Sequence, residues 1–124
     1  MNIEESYVSF ETAKLLKEKG FNEACWSWYH NGNNTHTGTS RYRNSELEKY
    51  DFSKATLAHA MKWLREVHNI HIDICSIWDT IHWLYQVFVI TPRTARNSYV
   101  DKILYTSYEQ AVEAAIQYSL ENLL

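Results

Sequence analysis

Residues 55–75, ATLAHAMKWLREVHNIHIDIC, contain a change in hydrophobic periodicity that indicates the fold class. Apolar side chains first recur at three- and four-residue spacing, which predicts an amphipathic helix over Leu57 to His68. The predicted buried stripe comprises Leu57, Ala60, Met61, Leu64, Val67 and His68. From Ile70 the pattern becomes strict alternation, which is typical of a strand with its isoleucines inward and His71 and Asp73 outward. A helix followed directly by a strand indicates a protein of mixed α and β structure.

A hairpin is predicted after this strand. A turn at Trp78 to Thr80 leads into a run of β-branched and aromatic residues from Ile81 to Ile90, which is typical of a return strand. The residues that follow, Pro92 to Asp101, are polar and irregular, so we expect a loop there.

The last helix is predicted to begin with a capping box, in which side chains satisfy the free N–H groups of the first turn. Two boxes fit the sequence: Thr106 with Glu109, and Ser107 with Gln110. The predicted buried stripe comprises Tyr108, Val112, Ala115, Ile116, Ser119 and Leu123, with Leu120 adjoining. Glu113 is predicted to face water, so we expect it to tolerate replacement by alanine.

The N-terminal part is predicted to contribute a helix and a second hairpin. The helix spans about Ser9 to Lys19, with Ser9 as its N-cap and Gly20 after its last turn. Residues 24–30, ACWSWYH, alternate two tryptophans with smaller side chains, as a strand does. Residues 31–40, NGNNTHTGTS, are turn formers, which predicts a hairpin tip or a mobile loop. A weaker second strand is predicted over Thr39 to Leu47.

These elements predict one α+β domain over residues 1–124, in the order α-β-β-α-β-β-α. Sequential hairpins favour a mostly antiparallel sheet of three or four strands, with the helices packed on one face. The length of 124 residues fits a single domain with its own core.

Charge and cysteine content exclude several classes of protein. Twelve basic and fifteen acidic side chains give a net charge of −3, which argues against binding a polyanion by bulk charge. The N-terminus, MNIEESYVSF, lacks the layout of a signal peptide, so a cytoplasmic location is expected and Cys25 and Cys75 are expected to be free thiols. The uncharged stretch from Thr80 to Pro92 is too short to predict a membrane span.

Three stretches together resemble a group of small uncharacterised proteins from gut bacteria and their prophages. They are YVSFETAKLLKEKGF (7–21), ATLAHAMKWLREVHNIHIDI (55–74) and YTSYEQAVEAAIQYSLENLL (105–124). The resemblance implies a small accessory protein of mobile-element origin. It implies no catalytic residue, because no activity is assigned to the group.

The sequence lacks the motifs of the common enzyme classes, so neither an enzyme nor a bound cofactor is expected. No HExxH, Walker, GxGxxG, GxSxG or CxxC pattern occurs. His68, His71 and Asp73 have ligand chemistry, but His68 falls on the apolar face of its helix while the other two share a strand face. We therefore expect no metal site, and no thiol catalysis by Cys25 or Cys75.

The aromatic content of 15% is unusual and predicts an interaction surface. The candidate residues are Trp26, Trp28, Trp83, Tyr85, Arg41 and Arg43. The leading hypothesis is self-association as a homodimer, since exposed aromatic patches usually mark interfaces and twofold dimers are the commonest assemblies. The alternative is a nucleic-acid-binding module, in which rings on the sheet stack on bases and loop arginines contact phosphates.

Overall fold

The computed structural model describes residues 3–78, 81–91, 97–101 and 103–124. The protein is α+β, with antiparallel sheets, as predicted. The chain divides into two compact units, Met1–Leu57 and Ala58–Leu124. Instead of one sheet, the described residues form two three-stranded sheets in the order α-β-β-β-α-β-β-β-α. The prediction of a single domain stays a prediction.

The helices and strands have the following bounds. The helices are α1 (Phe10–Glu18), α2 (Leu57–His68) and α3 (Tyr108–Asn122). The strands of the first unit are β1 (Cys25–His30), β2 (Asn34–Tyr42) and β3 (Phe52–Ser53). Those of the second unit are β4 (Ile70–Ser76), β5 (Trp83–Val89) and β6 (Asn97–Val100). No helix in the described part of the chain is long and apolar enough to cross a membrane.

Helix α1 begins and ends as predicted. The Ser9 Oγ accepts a hydrogen bond from the Thr12 N–H at 3.3 Å, which satisfies one of the free donors of the first turn. Gly20 follows the last turn with φ +96°, a conformation that a side chain would strain. Ala13 and Leu16 are completely buried, so this side of α1 faces the core.

Strand β2 corrects two predictions for the first unit. Only residues 31–33 form a turn, where Asn31 and Gly32 have positive φ, and β2 then runs over residues 34–42. The expected loop at 31–40 is therefore mostly strand, and the strand expected at 39–47 starts earlier and ends at Tyr42. The remainder of that segment forms a 3-10 turn at Asn44–Glu46. The sequence pattern does not indicate this strand because its residues are polar. β2 lies at a solvent-exposed sheet edge, where a strand needs no apolar alternation.

The short strand β3 was not predicted, and a buried asparagine positions it. Asn44 donates a hydrogen bond from its side-chain amide to the Phe21 carbonyl oxygen at 2.7 Å. Its Oδ1 accepts a hydrogen bond from the Ser53 N–H at 2.9 Å. One amide side chain thus links β3 to the residues that follow α1. Leaving the Phe21 carbonyl or the Ser53 N–H without a partner would lower the free energy of unfolding.

The sheet of the second unit has the strand order β4-β5-β6. The predicted hairpin is confirmed, with Ile70 opposite Val89 and Ser76 opposite Trp83. Residues 97–100 form strand β6, which pairs with β5, so the prediction of a loop is wrong for these four residues. The rest of that loop at 92–96, and Asp79 and Thr80 of the predicted turn, lie outside the described residues. Helix α3 packs on β4 and β5.

The buried stripe of α2 differs most from its prediction at Val67 and Trp63, while Met61 and His68 of the predicted stripe are half-buried. Leu57, Ala60 and Leu64 are buried as expected. Val67, however, is 55% exposed, whereas Trp63 is only 5% exposed. Both residues adjoin the same stripe, and burial of the larger indole removes more apolar surface from water.

The stripe of α3 is mostly as predicted. The buried residues are Ala111, Val112, Ala115, Ile116, Ser119 and Leu120. Ser107 caps the helix, with its Oγ accepting from the Gln110 N–H at 3.1 Å, which decides between the two predicted boxes. Tyr108 is exposed and Glu113 is half-buried, so the predictions for these two residues are wrong. Glu121 and not Glu113 is therefore a suitable exposed reference on this helix.

Candidate functional site

The six candidate residues of the interaction surface lie in different units. Trp26, Trp28, Arg41 and Arg43 belong to the first unit, and Trp83 and Tyr85 belong to the second. Trp26 and Trp28 lie on β1, Arg41 lies near the end of its partner strand β2, and Arg43 follows β2 directly. A candidate site is therefore built from the first unit alone.

The two faces of the β1 strand have different environments. Tyr29 packs edge-on against the Phe10 ring, which packs edge-on against Phe52 in turn. The Tyr29 hydroxyl donates to the Val8 carbonyl oxygen at 2.6 Å. Helix α1 therefore occupies this face. Because successive side chains of a strand point to opposite faces, Trp28 and the residues two positions before and after it lie on the opposite face.

We refer to that opposite surface as the aromatic face. It comprises Trp26, Trp28, His30, His36 and Tyr42. The Trp28 indole stacks on the His36 ring at 6.2 Å between centroids and contacts the Tyr42 ring edge-on at 5.5 Å. Gly38 lies against it, since a Cβ at that position would be 3.1 Å from the indole. Trp28 is thus held by its neighbours on β2, which makes it a fixed ring of a partly exposed sheet surface.

Trp26 is more exposed than Trp28 and Tyr42, the other two large aromatic side chains of the aromatic face. Trp26 lies at a break in the register of the two strands, where residues 38–41 of β2 are opposite this single residue of β1. It is 55% exposed. Bulges of this kind redirect side chains, and here the result is an indole available to a partner.

The aromatic face lies in a part of the chain without acidic residues. From Ala24 to Ser45 the sequence contains no aspartate or glutamate, but it contains Arg41 and Arg43. Arg43 donates from Nη1 to the Asn22 carbonyl oxygen at 3.0 Å and lies 3.9 Å from the Glu23 carboxylate. Arg41 is exposed. The hairpin and the residue that follows it therefore carry two arginines and no carboxylate.

Two histidines and one aspartate of this surface were missed by sequence reasoning. The His30 Nδ1 lies 2.9 Å from the Asp51 Oδ1, and the His30 and His36 rings are 4.7 Å apart between centroids. The spacing of the two histidines across the Asn31-Gly32 turn could have indicated their proximity. It did not, because residues 34–36 were assigned to the loop.

Trp83 and Tyr85 belong to a tyrosine cluster within the second unit. Tyr85 is 3% exposed, so its ring is part of the core. The buried Asp101 accepts a hydrogen bond from the Tyr105 hydroxyl at 2.8 Å. Burial, together with this bond, raises the pKa of Tyr105 to about 12, and burial beside Asp101 also raises the pKa of Tyr85. Trp83 packs edge-on against Tyr108 at 5.5 Å between ring centroids. Tyr85 is thus part of a packed interior, and Trp83 is half-buried beside it, so the cluster is not an open aromatic platform.

The other residues considered for chemistry are separated. The His68 ring packs edge-on against the Trp63 ring at 4.7 Å between centroids, while His71 and Asp73 lie on β4. Among the described residues, no group of three or more histidine, cysteine, aspartate or glutamate side chains is arranged to hold a metal ion. Both cysteines are free thiols. Burial raises the pKa of the Cys25 thiol to about 11, which disfavours the thiolate that a nucleophile needs.

Comparisons with protein-family models, with curated proteins and with solved structures found no match for this chain. A function is therefore inferred from the surfaces of the first unit, where the exposed edge and the aromatic face of one sheet occur together.

Proposed function

We propose that the chain is a non-enzymatic accessory protein that self-associates by pairing strand β2 with the same strand of a second copy. The observation that carries the proposal is the position of β2. It is a nine-residue edge strand, and all of its residues except Gly38 are exposed. No other described strand pairs with its outer side, which therefore presents backbone donors and acceptors to any further strand.

The sequence of β2 supports this proposal. Residues 34–40, NTHTGTS, contain no proline and no Lys, Arg, Asp or Glu, which are the residues that usually protect an edge against pairing. Three threonines add the β-branched side chains that favour strands. Antiparallel pairing about a twofold axis would satisfy the free backbone groups of both copies at once.

The proposed setting follows from the resemblance and from the thiols. A small accessory protein of mobile-element origin, acting in the cytoplasm as a homodimer, is consistent with two cysteines left unpaired. The three stretches that carry the resemblance include the helices, whereas residues 31–40 lie outside them. Self-association through β2 is thus a property of this chain's own hairpin.

A charge placed on β2 tests self-association. Consider two β2 strands paired antiparallel, with the twofold axis between His36 and Gly38. The lysines that Thr37→Lys introduces in the two copies then lie directly or diagonally opposite each other. Like charges at such positions destabilise strand pairing. We expect the wild-type chain to form a dimer whose population rises with concentration. We expect Thr37→Lys to weaken dimerisation by about tenfold or more, which is roughly 1.4 kcal/mol of repulsion. Sedimentation velocity over a range of concentrations measures both.

The matched control is Asn33→Lys, which adds the same charge in the turn, away from the strand edge. We expect this variant to dimerise as the wild type does, and both variants to retain the wild-type melting temperature at concentrations low enough for the wild type to be monomeric. A wild-type chain that stays monomeric throughout, or a Thr37→Lys variant that dimerises normally, contradicts the proposal.

Binding of single-stranded nucleic acid is a second candidate function, favoured by the aromatic face. Trp26 and Tyr42 offer exposed rings, and Arg41 directly precedes Tyr42 in the acid-free hairpin. Stacking on aromatic rings beside a basic groove is how proteins bind single strands without sequence preference.

Fluorescence polarisation with labelled single- and double-stranded oligonucleotides at low and high salt tests this second candidate. Salt-sensitive binding of the single strand that Trp26→Ala and Arg41→Ala weaken would support it, with Arg41→Ala reducing the salt slope by about 1. Arg65→Ala, at an exposed position of α2, is the control and should have no such effect. Equal binding by all variants, or no binding at low salt, contradicts it.

A further inference from the structure

We propose that His30 and His36 together bind a divalent late first-row transition-metal ion, with Asp51 as the positioning residue of His30. The ion belongs to the class of Ni²⁺, Cu²⁺ and Zn²⁺, which prefer imidazole nitrogen over carboxylate or carbonyl oxygen. Two protein ligands with water in the other positions make this a site open to solvent. It does not depend on self-association.

The tautomer of His30 follows from its partner. A carboxylate only accepts hydrogen bonds, so the 2.9 Å contact means that the His30 Nδ1–H donates to the Asp51 Oδ1. In the neutral ring, the lone pair is then on Nε2, the nitrogen that faces away from the carboxylate. A carboxylate behind a histidine in this way is the usual outer partner of a metal ligand, because it orients the ring and raises its basicity.

Asp51 is itself held in place. The Lys17 Nζ donates to the Asp51 carbonyl oxygen at 2.8 Å and to the Glu48 carbonyl oxygen at 2.9 Å. The Asp51 side chain is 11% exposed, whereas that of His30 is 35% exposed. The positioning group is therefore mostly buried and the ligand accessible, which is the arrangement that a preorganised surface site requires.

The separation of the two rings fits one shared ion. With metal–nitrogen bonds of about 2.0 Å, imidazoles on adjacent coordination positions have centroids roughly 5 Å apart. The His30 and His36 centroids are 4.7 Å apart, and the rings are inclined by 63°. His36 is exposed on β2, so rotation of its side chain can direct a nitrogen to the same point. Backbone pairing of β1 with β2 fixes the distance between the two positions.

Calorimetric titration of the tag-free chain with NiCl₂ and with ZnCl₂ tests the site. All proteins should carry Cys75→Ser, because the exposed Cys75 thiol is a competing ligand. We expect one ion per chain. We expect His36→Gln to weaken binding by at least tenfold, since it leaves one ligand, and Asp51→Asn to weaken binding by about tenfold, the lower end for loss of an outer partner.

The matched control is His71→Gln, which removes a histidine of β4 and should leave the affinity unchanged. MgCl₂ is the control for the ion, because Mg²⁺ prefers oxygen ligands and should not bind. Nuclear magnetic resonance locates the ion, since Ni²⁺ should broaden the ring signals of His30, His36 and Trp28 first. The proposal is overturned if His36→Gln and His71→Gln bind Ni²⁺ equally well, if the broadening is centred elsewhere, or if the chain that carries Cys75→Ser alone binds no ion.

Discussion

Replacing Leu64 or Ile116 by alanine is expected to lower the free energy of unfolding by about 2–5 kcal/mol. Leu64 lies in the middle of α2 and Ile116 in the middle of α3, and neither side chain has any exposed surface. Truncation removes apolar contacts and leaves a cavity that the surrounding residues fill only in part. Urea denaturation of each variant measures this loss. The shift in the transition midpoint reports the change in free energy of unfolding when the slope of that free energy with urea concentration is the same for all variants.

Glu121→Ala is the control for this experiment, because Glu121 is exposed near the end of α3. We expect it to change the free energy of unfolding by no more than about 0.5 kcal/mol. If Leu64→Ala and Ile116→Ala unfold at the same urea concentration as Glu121→Ala, the stripes of α2 and α3 do not face a core and the architecture is wrong.

Asn44→Ala is expected to cost about 2–4 kcal/mol, because it removes the partners of two buried backbone groups at once. The Phe21 carbonyl oxygen loses a donor and the Ser53 N–H loses an acceptor. We expect Asn44→Asp to lower the free energy of unfolding by at least as much. The carboxylate still accepts from the Ser53 N–H, but its other oxygen then faces the Phe21 carbonyl oxygen, which is also an acceptor. Thermal and urea unfolding measure both variants.

Asn34→Ala is the matched control for Asn44. The Asn34 side-chain amide also donates to a backbone carbonyl, that of Asn31 at 3.3 Å, but in an exposed position where water replaces the bond. We expect a change of at most about 0.5 kcal/mol. Equal losses for Asn34→Ala and Asn44→Ala would mean that the Asn44 amide does not position β3.

Local patterns predicted the elements whose stability depends on neighbours close in sequence. Helix α2 was predicted with its exact bounds, because its 3.6-residue period and the alternation that follows are both contained in one segment. The cap of α1 by Ser9 and the hairpin of β4 with β5 were predictable for the same reason. The α+β class and the antiparallel pairing follow from these elements.

Residues whose role depends on distant partners could not be assigned in this way. Trp63 and Val67 are equivalent in periodicity, and only packing distinguishes the buried ring from the exposed one. Nothing near Asn44 in the sequence indicates Phe21 and Ser53 as its partners.

The candidate site shows the same division. The sequence by itself determined that an aromatic strand, Ala24 to His30, would precede a turn at Asn31-Gly32, because alternation and turn chemistry are local properties. Only the tertiary structure decided that β2 pairs there as an exposed edge, since a solvent-facing edge strand imposes no apolar pattern. That pairing brings His36 to His30, and the chain segment after it brings Asp51. The contact between His30 and Asp51, which are far apart in sequence, is fixed by strand register and packing, which no local pattern records.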